Sequence, residues 1–489
     1  MVVKRSIGVA IVLFWCFMNF LLLKRQLWAP SPPPPITVRS TGTISERLDE
    51  WWGIYYRGEK IGYAAQTIRP VSQGYEIQDQ SILRLHLLGT TQTVTTHLNM
   101  NVDQEWALLR FEFDLQSNEI RFKARGTVTP GKLVVEVESA GHTTKKEIPL
   151  LQQPYLLAAL KPYAVTQQLE PGKEHFFSTF DPATLSRQVT SIVIEGREHI
   201  RIGDRTEAAI RLRQKFKGIS VISWVDGSGR TLKEETPSGL SLVRQSPEEA
   251  KRPSESGSVS LDLITQTAIP SQTVITNPPE KKFLKLLLSG FDPANFLLNG
   301  SRQRLSDNQL EIRREEVERI QSFEIPLRDK RLSSYLQPTP FLQSDHPRIR
   351  TLVQDILGGE KDARKAVLGI KDWVYKEIAK KPTVSIPNAL EVLQTKRGDC
   401  NEHTVLFNAL ARAAGIPAKT VIGVVYLRGS FYYHAWSEVW LGQWISLDSV
   451  LNQFPADVTH IRFLEGEIDR QIDILQLIGQ LKIQIIEAS

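Results

Sequence analysis

The feature that most constrains this chain is a two-residue alternation that recurs in runs from Glu46 to about Arg244. Leu109, Phe111, Phe113 and Leu115 alternate with Arg110, Glu112 and Asp114. Ile120 with Phe122, Val135 with Val137, and Ile210 with Leu212 repeat the pattern. Side chains of a strand point alternately to its two faces, so this period specifies strands with one buried and one wet face. Pro130-Gly131 and Asp226-Gly227 are turn dipeptides between such runs. The stretch 46–245 therefore reads as a largely antiparallel β domain, with one short helix near Tyr155 to Leu160. Trp51, Trp52, Tyr55 and Tyr56 read as its core and edge aromatics. Ser246 to Lys281, rich in Ser, Pro, Glu and Thr, reads as a linker. Phe283 to Pro326, with Leu284, Leu286 and Leu288 alternating, reads as a small second β segment within 246–335.

Beyond 336 the period changes. Ile349, Leu352, Val353, Ile356 and Leu357 form one helical stripe, and Ala366, Ile370, Val374 and Ile378 the next. Asn388 precedes Glu391 by three residues, the spacing of a helix cap. Asp399 precedes Glu402 by the same interval, a capping box that makes Cys400 the first residue of a helix. Leu406, Leu410 and Ala413 carry its apolar face, Gly415 supplies a left-handed stop, and Pro417 blocks continuation. A thiol in a first helical turn feels the positive end of the macrodipole, which favours the nucleophilic thiolate. Two strand-like runs follow, one carrying Tyr433-His434-Ala435-Trp436 and the other Trp444-Ile445-Ser446-Leu447-Asp448. A nucleophile, a base and an orienting acceptor thus occur in chain order as Cys400, His434 and Asp448.

The runs Gly398-Asp399-Cys400-Asn401-Glu402-His403, Ala411-Arg412-Ala413-Ala414-Gly415-Ile416-Pro417-Ala418 and His434-Ala435-Trp436-Ser437-Glu438-Val439-Trp440, followed by Asp448, resemble the core of the transglutaminase-like superfamily. The resemblance covers roughly residues 336 to 465. It implies a papain-like triad of Cys400, His434 and Asp448, with the cysteine on a helical lobe and the other two on an antiparallel sheet. Residues 336–489 are then a transglutaminase-like catalytic domain. The calcium-binding segments of animal transglutaminases have no counterpart in the sequence, so calcium dependence is not implied. Cys400 and His403 share a helix face, but a second pair of zinc ligands at metal spacing is lacking. His403 reads as a structural group, and Trp436, Trp440 and Trp444 as sheet packing.

The N-terminus adds an expectation about location. Lys4-Arg5 and Lys24-Arg25 flank an apolar run, Ile7 to Leu23, close to the roughly 20 residues of a spanning helix. No small-residue cleavage pattern follows. Residues 1–29 therefore read as an uncleaved transmembrane signal anchor. Pro30 to Pro35, within a 30–45 spacer, read as a stiff polyproline II segment. The expected location is a bacterial cytoplasmic membrane, single-pass, with the body in the periplasm or outside the cell. Cys16 and Cys400 are the two cysteines of the 489-residue chain, so a disulfide framework is not expected. The net charge of +6 is spread along the chain without a basic run, and nucleic acid is not an expected partner.

The expected class is therefore α+β: an N-terminal transmembrane helix, antiparallel β domains and a C-terminal papain-like lobe. The expected activity is thiol acyl transfer on polypeptide or peptide amides through a Cys400 thioester, without metal or organic cofactor. Hydrolysis is favoured over transamidation of protein glutamine, because water needs no second binding site. An inactive envelope scaffold is the reading from outside enzymology. The β domain reads equally as a device that orients a polypeptide substrate, through strand pairing at a sheet edge, and as a domain that only packs against the lobe. The sequence does not set the oligomeric state.

Overall fold

The computed structural model describes residues 44–118, 120–227, 229–253 and 262–489. Fourteen strands between Leu48 and Arg244 form a single antiparallel sheet. Eight of them run as consecutive hairpins from Leu48–Tyr56 to His142–Pro149, and six from Glu174–Asp181 to Leu240–Arg244. The two runs join where Leu48–Tyr56 pairs with Leu240–Arg244, placing Trp52 opposite Arg244 and Tyr56 opposite Leu240. The alternation is realised residue by residue: Ile120, Phe122 and Ala124 are buried, while Arg121 and Arg125 face water. Gly126 lies opposite Phe111, and a Cβ there would meet the Phe111 ring at 2.1 Å, so this strand position requires glycine. The helix Leu157–Thr166 packs Leu160 and Tyr163 into the same core as Phe111, Phe122 and Leu212.

The expected α+β class is corrected by these elements. The chain is mostly β, 47% strand against 21% helix, and no described helix is long and apolar enough to cross a membrane. The physical reason is strand length. Strands of 13, 14 and 17 residues, such as Glu59–Val71, Gly74–Leu87 and Ser186–Ile202, occupy stretches where the sequence pattern alone marks shorter runs. The expected anchor at Ile7 to Leu23 and most of the 30–45 spacer lie outside the described residues.

The C-terminal part holds two further sheets and a helical layer. Gln303–Ser306, Gln309–Arg313, Phe283–Ser289 and Lys482–Ala488 form a four-stranded sheet, so the end of the chain closes as a strand. A five-stranded sheet runs Ile269–Pro270, Ser430–Trp440, Ala418–Leu427, Ile461–Glu465, with Trp444–Leu447 also pairing Ser430–Trp440. The stretch read as a linker thus supplies an edge strand, Ile269 opposite Phe431. The helices Pro347–Leu357, Ala363–Glu377, Ala389–Thr395 and Cys400–Ala413 share one core through Ile349, Ile370, Leu390, Phe407 and Leu410. Val439, Ile445 and Leu447 of the five-stranded sheet close that core from the other side.

The large sheet is tied to this lobe near the start of the cysteine-bearing helix. Phe341 and Ile386 belong to the core of the large sheet. The Arg121 N–H donates to Glu391 Oε1 at 3.1 Å. Gln92, buried on its strand, donates from Nε2 to the Pro382 carbonyl and accepts at Oε1 from the Val384 N–H at 3.1 Å.

Candidate active site

Asp399 caps the helix Cys400–Ala413 as its spacing requires. Its side chain accepts from the Asn401 N–H at 3.0 Å, and Glu402 Oε2 accepts from the Asp399 N–H at 2.9 Å. Such a cap contributes about 1 kcal/mol to the helix. Its second carboxyl is held from outside, because Ser385 donates its hydroxyl to Glu402 Oε1. The segment carrying Ser385 begins as a two-residue strand, Ala379–Lys380, pairing in parallel with Arg397–Gly398 just before the cap. Gly398 is required here, since a Cβ would lie 2.2 Å from Glu402 Cβ. Cys400 is therefore fixed at the first turn from both sides, partly exposed and with a free thiol.

The helix lies against the strand Ser430–Trp440. Thr404, one turn beyond Cys400, donates to the Cys400 carbonyl at 2.7 Å and to the Ala435 carbonyl at 3.2 Å. The Ala435 N–H donates to the Cys400 sulfur, so the thiol meets the strand beside His434. Desolvation and the nearby Asp399 carboxylate push the thiol well above its usual range, with the Ala435 N–H pulling the other way. The lowering expected from the helix dipole is thus outweighed.

His434 Nε2 donates to Asp448 Oδ2 at 2.7 Å. That leaves Nδ1 as the ring nitrogen available to take a proton. Trp436, two residues along the same strand face, stacks on the His434 ring at 6.2 Å between centroids. Asp448 is 1% exposed, and its other oxygen accepts from the Val450 and Leu451 N–H groups at 2.7 and 2.9 Å. Burial would raise this carboxyl, but the charge and hydrogen bond of His434, with those of His460, hold it far below the usual range. The structure thus brings His434 and Asp448 into direct contact and sets Cys400 on the adjoining backbone.

His403 is placed elsewhere. It is fully buried, its two ring nitrogens directed at the carbonyls of Asp399 and Ile378 at 2.7 and 3.3 Å. Glu438 is buried between Arg462 at 3.3 Å and Lys419 at 3.2 Å. Trp440 and Trp444 pack edge to face at 5.6 Å.

Sequence reasoning missed His460. It is fully buried, and its Nε2 lies 3.0 Å from the same Asp448 oxygen that serves His434. Its Nδ1 lies 3.3 Å from Asp457 Oδ1. No periodic pattern marks the loop from Ser449 to His460; the one available signal is the cluster Asp457-Val458-Thr459-His460 itself. Among the described residues, His434, Asp448 and His460 have ligand-type atoms within 4.8 Å of one another. Their contacts are hydrogen bonds through one shared carboxylate oxygen, which places protons on both imidazole nitrogens rather than lone pairs toward a common centre.

Residues 350–449 match the family model described as the transglutaminase-like superfamily. No curated protein matches the chain in sequence. Among solved structures, a candidate cysteine protease from Cytophaga hutchinsonii is similar at 18% identity and a TM-score of 0.30, covering 43% of this chain and 84% of its own. A β-barrel-like protein of a domain of unknown function from Brucella abortus is similar at 9% identity and a TM-score of 0.33, covering 40% and 94%. The matched segment contains the capped Cys400 helix, the His434 strand and Asp448, so the likeness to the transglutaminase-like superfamily falls on residues 350–449.

Proposed function

We propose that the chain is a papain-like cysteine enzyme acting on amide bonds of polypeptides, and that it hydrolyses them. The observation that carries this reading is the His434–Asp448 hydrogen bond of 2.7 Å beside a thiol on a capped helix start. In the proposed reaction Cys400 Sγ attacks the amide carbon as its proton passes to His434 Nδ1. The tetrahedral intermediate then expels the amine, which takes that proton. Asp448 holds the ring oriented and stabilises the imidazolium that forms. The Cys400 backbone N–H, unpaired within its own helix, is the candidate donor to the oxyanion. Water or an amine completes the cycle at the thioester carbonyl, and these two outcomes differ only in the second nucleophile. Water is favoured because it needs no second binding site, whereas transfer needs an amine subsite.

A peptide carrying an amide-mimicking electrophile should label the protein at Cys400, and the Cys400→Ala variant should take no label. Unchanged labelling would overturn the assignment and leave a binding scaffold as the better reading. Incubation with a glutamine peptide and a labelled amine separates the two chemistries. Cleavage exceeding amine incorporation supports hydrolysis, and the reverse overturns it.

A further inference from the structure

We infer that His460 is a positioning residue of this site: a cationic imidazole clamped between Asp448 and Asp457 that shares the Asp448 oxygen serving His434 and so opposes a second positive charge there. The inference rests on the acyl-transfer reading only for its catalytic consequence; the charge state itself follows from hydrogen-bond bookkeeping. An ionised carboxylate accepts and never donates. All four acceptor positions of Asp448 are used, by Val450 and Leu451 N–H at Oδ1 and by two imidazoles at Oδ2. Asp457 is likewise an acceptor on every side: Oδ1 accepts the Thr459 N–H and hydroxyl at 2.8 and 2.6 Å and faces His460 Nδ1 at 3.3 Å, and Oδ2 accepts from Gln453 Nε2 at 2.8 Å. His460 therefore faces an acceptor at each ring nitrogen. A neutral imidazole would turn a lone pair toward one of them, on a ring that is fully buried. Protons on both nitrogens satisfy the geometry.

The surroundings agree. Burial would lower this imidazole, yet the hydrogen bonds to Asp448 and Asp457 push it up to about 9. Other charges near it are paired. Arg302, which donates to the carbonyls of Asp457 and His460 at 2.7 and 2.9 Å, is bound to Glu315 at 3.0 Å. Arg462, two residues along, is bound to Glu438. Trp436 meets the His460 ring edge to face at 5.2 Å and brings no charge. Across the site stand Cys400 and, on its helix start, Asp399 and Glu402. His434 and His460 lie 5.7 Å apart between ring centroids, so a positive charge on one opposes a positive charge on the other.

The test is a histidine NMR titration with nitrogen labelling, which needs no turnover. In the native protein at pH 7.5, His460 should show two protonated ring nitrogens. In His460→Gln, the His434 titration should move up by about one pH unit or more, because an opposing cation has been removed. The acid limb of kcat/KM should move with it. A merely structural role would lower kcat/KM at every pH and leave both midpoints in place. A neutral His460 in the native spectrum overturns the inference even if the variant does not fold. An inactive protein with a cationic His460 and a shifted His434 would overturn the acyl-transfer reading alone.

Discussion

At the scale of single residues, Asp448 is the group with the least freedom. It is buried, it accepts four hydrogen bonds, and it orients the ring proposed as the base. Asp448→Asn keeps the shape but presents an N–H₂ where an acceptor is needed, or turns its carbonyl to one partner at the expense of another. The His434 ring would then favour the wrong tautomer. We expect kcat to fall on the order of 10⁴-fold, as for loss of the acceptor in other triads, measured by turnover of a peptide amide. A loss below tenfold would show that His434 is oriented by something else. The sequence makes Cys400, His434 and Asp448 legible because each sits at a recognisable place, a helix cap or a strand. His460 was not legible, since its role depends on a loop folding back 12 residues beyond Asp448, and no local pattern records that return.

At the scale of elements, alternation identified strands well but could not identify their partners. The pairing of Leu48–Tyr56 with Leu240–Arg244 joins segments nearly 200 residues apart, and a period of two carries no such address. Glu50 shows what that pairing costs. It sits 5% exposed on the strand Leu48–Tyr56, and its Oε1 has no hydrogen-bond partner. Burial pushes its carboxyl up to about 7, against the pull of Lys161, whose own ammonium is held by Glu234 at 2.6 Å. The folded value lies above the ordinary carboxylate value, so this group favours the folded state at low pH. That advantage is lost as pH rises through about 7. Each pH unit of such a displacement is worth about 1.4 kcal/mol. Glu50→Gln should therefore raise Tm at pH 8 and leave it nearly unchanged at pH 5, read by calorimetry at both values. An equal offset at the two pH values would mean that packing, not ionisation, separates the variants.

At the scale of the whole molecule, the question is what a fourteen-stranded sheet does for the Cys400 helix, which it does not contain. A sheet serving only to present substrate would be separable from the lobe. Here Phe341 and Ile386 are part of the sheet's own core, so removing residues 46–244 would leave both without cover. The stronger link is a relay of hydrogen bonds. Gln92 holds the backbone at Pro382 and Val384; Ser385, the next residue, holds Glu402; and Glu402 completes the cap in front of Cys400. We propose that the sheet acts as a brace for the nucleophile through this segment. Gln92→Ala leaves two half-buried backbone groups without their side-chain partner, a loss of about 1 kcal/mol. A shift of about 1 Å at the reacting atoms can cost 10²-fold in rate. The comparison is Lys217→Ala, which breaks a different contact between sheet and lobe, to the Asp469 carbonyl and Asp473, remote in sequence from the Cys400 helix. Both variants should lower Tm by a few degrees, and only Gln92→Ala should lower kcat/KM by tenfold or more. If the two variants lose activity equally, or neither does, the sheet is a structural partner of the lobe and not a brace for its nucleophile.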